Sequence, residues 1–136
     1  MPNIIEIDTT GRGLFDITSS VKELARAAGI EDGAVHLFIQ HTSASLLIQE
    51  NADPDVRDDL VAHFDRLAPE DADYTHIAEG ADDMPAHIKS ALTASALTIP
   101  IGGGRLLLGA WQGVYVFEHR RAAHRRRIIA TFLREA

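Results

Sequence analysis

Three histidines in this chain, His41, His76 and His87, stand among carboxylates and hydroxyls in a way that could hold a cation. Neutral imidazoles suit zinc, manganese, iron or nickel, and a carboxylate can complete such a shell. His76 and His87 flank the stretch IAEGADDMPA, with Glu79, Asp82 and Asp83 between them. That separation is too long for two ligands one turn apart on a helix, so a shared cation would be held across a loop. On spacing alone, a metal site and a polar loop without a ligand both stand. His41 opens HTSASLLIQENAD (41–53), where polar groups crowd around Leu46, Leu47 and Ile48.

Other polar residues have cheaper readings. His63 falls in mid-helix on a surface register, His36 in mid-strand opposite Val35 and Leu37, and His119 and His124 inside the arginine run HRRAAHRRR (119–127). None of these four needs a special role. The run itself reads either as a solvated hairpin end or as an anion site, because guanidinium forks match phosphate oxygens. Glu118 ends an alternating strand on the side of Val114 and Val116, at its wet end or in a polar pocket. Glu50 and Asn51 precede a helix cap, so local backbone hydrogen bonds account for them. Gly102 to Gly104 precede a strand rather than a helix, which makes them a hairpin turn and not a phosphate loop.

Positioning these groups takes strands and helices in the order β-α-β-β-α-α-β-β-β-β. NIIEID opens as a strand. DITSSVKELARAAG is a helix, with capping-box spacing at Ser20 and Glu23 and a stop at Gly29. GAVHLFIQHT alternates as a strand and SLLIQ continues as a buried one. ADPDVRDDLVAHFDRLAP is the strongest helix, with Asp53 as N-cap, Pro54 at the first turn and Val56, Leu60, Phe64 and Leu67 on one face. A polar loop covers 69–84, a third helix starts at MPAHIKSALTAS, and ALTIPI, RLLLG, WQGVYVFEH and RRIIATFLRE are strands. This order lacks strict βα alternation and predicts an α+β fold with a largely antiparallel sheet.

The length fits one domain over 1–136. A net charge of −7 argues against a general nucleic-acid binder. No run approaches the roughly 18 apolar residues of a membrane span, so no membrane partner is expected. The start Met1-Pro2-Asn3 has no signal-peptide pattern. With no cysteine, disulfides and thiolate ligands are excluded, and a cytoplasmic location is expected. Acid is concentrated at 50–83, with twelve Asp or Glu and two Arg.

Four stretches, GLFDITSSV (13–21), HTSASLLIQENADPDVRDDL (41–60), YTHIAEGADDMPAHIKSAL (74–92) and LTIPIGGGRLLLGAWQGVYVFE (97–118), resemble the YjbQ family in order and over nearly the whole chain. The resemblance implies an α+β domain whose mixed, mostly antiparallel sheet curls into a half-barrel or sandwich with two to three helices, and a homotrimer. It implies a transferase of the secondary thiamine-phosphate synthase type, joining a pyrimidine diphosphate to a thiazole phosphate, with a divalent metal (Zn, Mg or Mn). Carried over by position, His41, His76, His87 and Asp83 would hold the metal. Ser43, Ser45, Asn51, Asp53 and Gln112 would bind a small phosphorylated metabolite, with Arg125 or Arg127 meeting its phosphate. Glu118 or Glu50 would act as base. The segment 41–53 would then anchor through its apolar triplet and line one pocket. The family's D-N-M-P reads Asp82-Asp83-Met84-Pro85 here, its G-T-W-Q reads Gly109-Ala110-Trp111-Gln112, and its D-G-P-R turn is replaced by the arginine run. Two other expectations use the same groups: a metal-dependent phosphate-ester hydrolase, and a non-catalytic trimer holding a metal or a small anion.

Overall fold

The computed structural model describes residues 3–136. In chain order these form β1 (Asn3–Thr9), β2 (Gly13–Asp16), α1 (Thr18–Ala28), β3 (Gly33–Ile39) and β4 (Ala44–Glu50). Then come α2 (Pro54–Leu67), α3 (Asp83–Leu92), β5 (Ala96–Gly102), β6 (Arg105–Leu106), β7 (Gln112–Glu118) and β8 (His124–Arg134). One sheet runs β1-β8-β3-β5-β6 and the other β2-β7-β4. Every strand pairing in the described residues is antiparallel, as the element order suggested and not mixed as the resemblance implied. The α+β class with three helices, and a sheet curled into a half-barrel, stands.

The two sheets share one core. Val35, Leu37, Ile39, Ile99, Ile128 and Ala130 of the larger sheet meet Ala44, Leu46, Val114 and Val116 of the smaller one, and Val21 and Ala25 of α1 pack into the same cluster. On β7 the alternation fails to mark a wet face, because Gly113 to Glu118 are all buried. Val114 and Val116 face the other sheet, while Phe117 meets the Phe64 ring of α2 edge-on at 5.3 Å. The Tyr115 hydroxyl takes a hydrogen bond from Arg57 of the same helix at 3.1 Å. A strand covered on both faces reads as continuous rather than alternating.

Local signals decide most boundaries. Asp53 caps α2 by accepting from the Asp55 N–H at 2.9 Å, with Pro54 at the first position. Gly103 and Gly104, at φ +57° and +76°, make the two-residue turn joining β5 to β6, as a type I′ hairpin requires. Three expectations change. A short β2 precedes α1, because Asp16 turns the chain by accepting from the Thr18 N–H at 2.8 Å. That helix therefore starts at Thr18, ahead of the Ser20 capping box. Of RLLLG only Arg105 and Leu106 pair as a strand. No described helix is long and apolar enough to cross a membrane.

Gly33 lets β3 and β8 approach. A methyl group there would stand 2.0 Å from the Leu133 carbonyl oxygen. Gly33→Ala is expected to destabilise the fold by on the order of 1–3 kcal/mol through this overpacking. The check is a lowered urea midpoint with an unchanged m-value.

Candidate functional site

α3 begins at the site. Asp83 and His87 stand one turn apart on it, and the preceding loop brings in His76. His76 Nε2 lies 2.6 Å from Asp83 Oδ2, and His87 Nε2 lies 3.0 Å from the same oxygen. One ligand atom from each of the three falls within 4.8 Å of the others. Asp83 is only 2% exposed. Burial pushes its carboxyl up, but the hydrogen bond from His76 and the charges of His87 and Arg120 outweigh that and hold it below its ordinary value.

His87 is oriented from behind. Its Nδ1 donates to the Thr42 carbonyl at 2.9 Å. A carbonyl can only accept, so a neutral His87 keeps its proton on Nδ1 and turns the Nε2 lone pair toward the Asp83 carboxylate. Two acceptors 3.0 Å apart require a proton or a cation between them. This is how second-shell carbonyls set up metal-binding histidines. Two imidazoles and a carboxylate also match zinc or a 2-His-1-carboxylate metal with open positions.

Arg120 fixes the carboxylates. It donates from Nη1 to Asp83 Oδ1 at 2.7 Å and from Nε to Asp82 Oδ2 at 2.9 Å. The Arg121 N–H also reaches Asp82 Oδ2 at 2.9 Å. Burial pushes the Asp82 carboxyl up, yet these donors bring it down to about 2.

His41 is not brought into this triad. Its Nε2 accepts from the Arg127 backbone N–H at 2.9 Å, and its Nδ1 faces Arg126. Burial and the Arg126 charge hold the His41 imidazole below its ordinary value. Its ring instead lines two clefts, one shared with Thr42, Ser45, His87 and Ser90, the other with Thr42, Ser43, Ser95 and Arg126.

Glu118 lies in a polar pocket and is 0% exposed. Arg126 chelates it from Nε, at 2.7 Å, and Nη2, while the Thr9 hydroxyl donates at 2.6 Å and the N–H groups of His119 and Arg120 at 3.0 and 3.1 Å. Burial raises this carboxyl, and the Arg126, Thr9 and backbone donors more than reverse it. With its oxygens so occupied, Glu118 is a structural anchor and not a base. Neither Arg125 nor Arg127 enters: Arg125 pairs at the surface with Asp8 at 2.8 Å, and the Arg127 side chain is exposed. Arg126 enters instead, also donating to the Ser43 hydroxyl at 3.0 Å.

The remaining candidates sit elsewhere. The β4–β7 register pairs Ala44 with Glu118 and Glu50 with Gln112, so Glu50 lies roughly 20 Å from Glu118 along the ladder. There Glu50 accepts from the Ala52 and Asp53 N–H groups, Asn51 donates to the Gln112 carbonyl at 3.3 Å, and Gln112 accepts from the Gly109 N–H at 2.8 Å. In one chain these residues shape the entry to α2 and are not gathered at the triad.

Sequence reasoning passed over His119. It is 1% exposed, its Nε2 is 2.9 Å from the Ser45 hydroxyl, which also accepts from Thr93 at 2.6 Å, and its buried Nδ1 has no partner. Burial pushes its imidazole down to about 3, with Lys89 and Arg126 acting the same way. Nothing in a run of arginines signals such burial. Arg126 was more legible, because it shares a strand face with Ile128 and Ala130.

Residues 3–135 match the family model described as UPF0047 protein YjbQ-like. A UPF0047 protein of Synechocystis sp. is 50% identical over 127 residues, covering 93% of this chain and 86% of that one. The YjbQ protein of Salmonella typhimurium is 45% identical, with 93% of each covered. The crystal structure of a YjbQ/UPF0047-family protein from Clostridium acetobutylicum superposes with a TM-score of 0.90 at 34% identity, covering 96% of this chain and 99% of that one.

Arg126→Met strands a buried carboxylate and is expected to cost about 3–5 kcal/mol at neutral pH. The Glu118 value is depressed in the fold, so its stabilisation is complete above the unfolded value near 4.5 and lost as pH falls through the folded value. The gap between wild type and Arg126→Met should therefore narrow on acidification, read from urea midpoints at both pH values. A pH-independent gap would contradict this role.

Proposed function

Since the chain belongs to the YjbQ-like UPF0047 family, we propose that it is a divalent-metal enzyme acting on a small phosphorylated metabolite, a transferase of the secondary thiamine-phosphate synthase type. The observation that supports this is the convergence of His76 Nε2 and His87 Nε2 on one buried Asp83 oxygen, with the His87 ring fixed from behind by the Thr42 carbonyl. His76, His87 and Asp83 would hold the cation. When bound, it would neutralise charge on a phosphoryl leaving group. Asp83 gives this chain a carboxylate where the YjbQ pattern has an amide, which favours a dication further.

The chain's own residues do the positioning. Arg120 holds Asp82 and Asp83 in place through both carboxylates. Thr42 fixes His87, and the adjoining clefts offer the exposed hydroxyls of Thr42 and Ser95 to a ligand. Glu118 has its oxygens taken by Arg126, Thr9 and backbone N–H groups, and Glu50 lies at the entry to α2, which weighs against both bases of the hydrolase reading. We take the working unit to be a homotrimer. That reading follows the resemblance to the YjbQ family.

Protein purified without a His tag should carry a stoichiometric divalent metal by elemental analysis. His76→Ala, His87→Ala and Asp83→Asn should each lose most of it while remaining folded. Second-shell loss through Arg120→Met should weaken metal affinity about 10- to 100-fold. Retention should fall on acidification, because the imidazoles must be unprotonated to bind. Turnover of the two thiamine precursors should follow metal content across this series. Full metal loading with no turnover on precursors or phosphate esters would favour the non-catalytic trimer instead.

A further inference from the structure

Two hydrogen-bond donors face each other next to the triad with no acceptor between them. His41 Nε2 accepts from the Arg127 backbone N–H at 2.9 Å. A backbone N–H can only donate, so His41 is neutral and carries its proton on Nδ1. That Nδ1 lies 3.4 Å from Arg126 Nη1, and a guanidinium nitrogen also only donates. The contact is therefore donor against donor. Arg126 spends its other nitrogens on Glu118 and Ser43, leaving Nη1 without an acceptor among the described residues.

We infer that His41 Nδ1 and Arg126 Nη1 together bind one oxygen of a phosphoryl group. They line a cleft of about 650 Å³ with Thr42, Ser43 and Ser95. It adjoins a cleft of about 320 Å³ that shares His41, Thr42 and Ser95 and also includes His87 of the triad. A ligand that spans both clefts would thus meet the donor pair at one end and the His87 side chain at the other.

The chemistry favours phosphoryl. Glu118 already balances the Arg126 charge, so recognition rests on directed donors rather than on net charge. Arg126 is 4% exposed and is held rigidly by Glu118, so its free N–H groups are preorganised. The Thr42 and Ser95 hydroxyls make no hydrogen bond among the described residues and supply donors for further oxygens. A tetrahedral group with three terminal oxygens uses more of these donors than a carboxylate does. The choice of phosphoryl rests on the proposed phosphorylated substrate, while the donor pair itself requires no metal.

The test uses full-length protein stripped of metal by chelation, so that a failed metal site leaves the outcome readable. Nitrogen-15 spectra of the histidine rings should show His41 as the Nδ1–H tautomer. Titration with inorganic phosphate should move the His41 Nδ1 and Arg126 Nη1 resonances together and saturate. His41→Phe should weaken phosphate binding about tenfold, the loss of one donor to an anion. Because Arg126→Met strands Glu118, the second variant is Glu118→Gln/Arg126→Met, which should weaken it at least as much. Methyl phosphate should bind as tightly as inorganic phosphate if the group is carried on a metabolite. An Nε2–H tautomer, resonances that ignore phosphate, acetate binding as tightly as phosphate, binding of inorganic phosphate alone, or an unchanged affinity in His41→Phe would each overturn the inference.

Discussion

A buried ion pair joins the two sheets at one end. Arg126 comes from β8 of the five-stranded sheet and Glu118 from the last position of β7 in the three-stranded one. Neither has more than 4% of its surface exposed. Taking both charges out of water carries a large desolvation cost, recovered only when every oxygen and N–H finds a partner. Thr9 from β1, Ser43 from the β3–β4 connection and two backbone N–H groups after Glu118 supply those partners. The sheets, the first strand and the β7–β8 connection are therefore pinned to one point. The one guanidinium nitrogen left over faces His41.

From that point the chain's polar chemistry spreads in a short arc. Directly after Glu118, the backbone carries His119 into the core against Ser45 and sends Arg120 out to Asp82 and Asp83. Arg120 thereby fixes the start of α3, and α3 presents Asp83 and His87 to His76. Thr42, one residue past His41, holds the far side of the His87 ring. Three segments distant in sequence, 41–45, 76–87 and 118–127, thus hold one another in place. Bonds such as His87 to Thr42, Arg120 to Asp83 and Arg126 to Ser43 cross between segments, so the geometry of each depends on the others. Lys89, 3% exposed on α3, ties in α2 as well by reaching Asp65 at 2.6 Å.

Much of the fold was legible. The Asp53 cap with Pro54, the helical stop at Gly29, the glycine turn at 103–104 and the alternation of Val35, Leu37 and Ile39 are local signals, and each acts where it is written. The clustering of His76, Asp83 and His87 was legible as residue types, since a loop that closes onto a helix start needs only short-range folding. The β7 alternation misled because both of its faces are covered, one by the other sheet and one by α2. The arginine run misled more. Of its charged residues, Arg125 is fully at the surface while its neighbour Arg126 is buried, and strand pleating alone separates them.

The family and the α+β class followed from the sequence, because motif order and hydrophobic period are properties of the chain read along its length. Which carboxylate is an anchor and which a ligand did not follow. Glu118 and Asp83 both pair with an arginine in the fold, yet one has all its oxygens taken and the other keeps an oxygen turned toward two imidazoles. That distinction depends on which hydrogen-bond donors arrive from other strands, and so only the packing of β1, β8 and α3 around β7 could decide it.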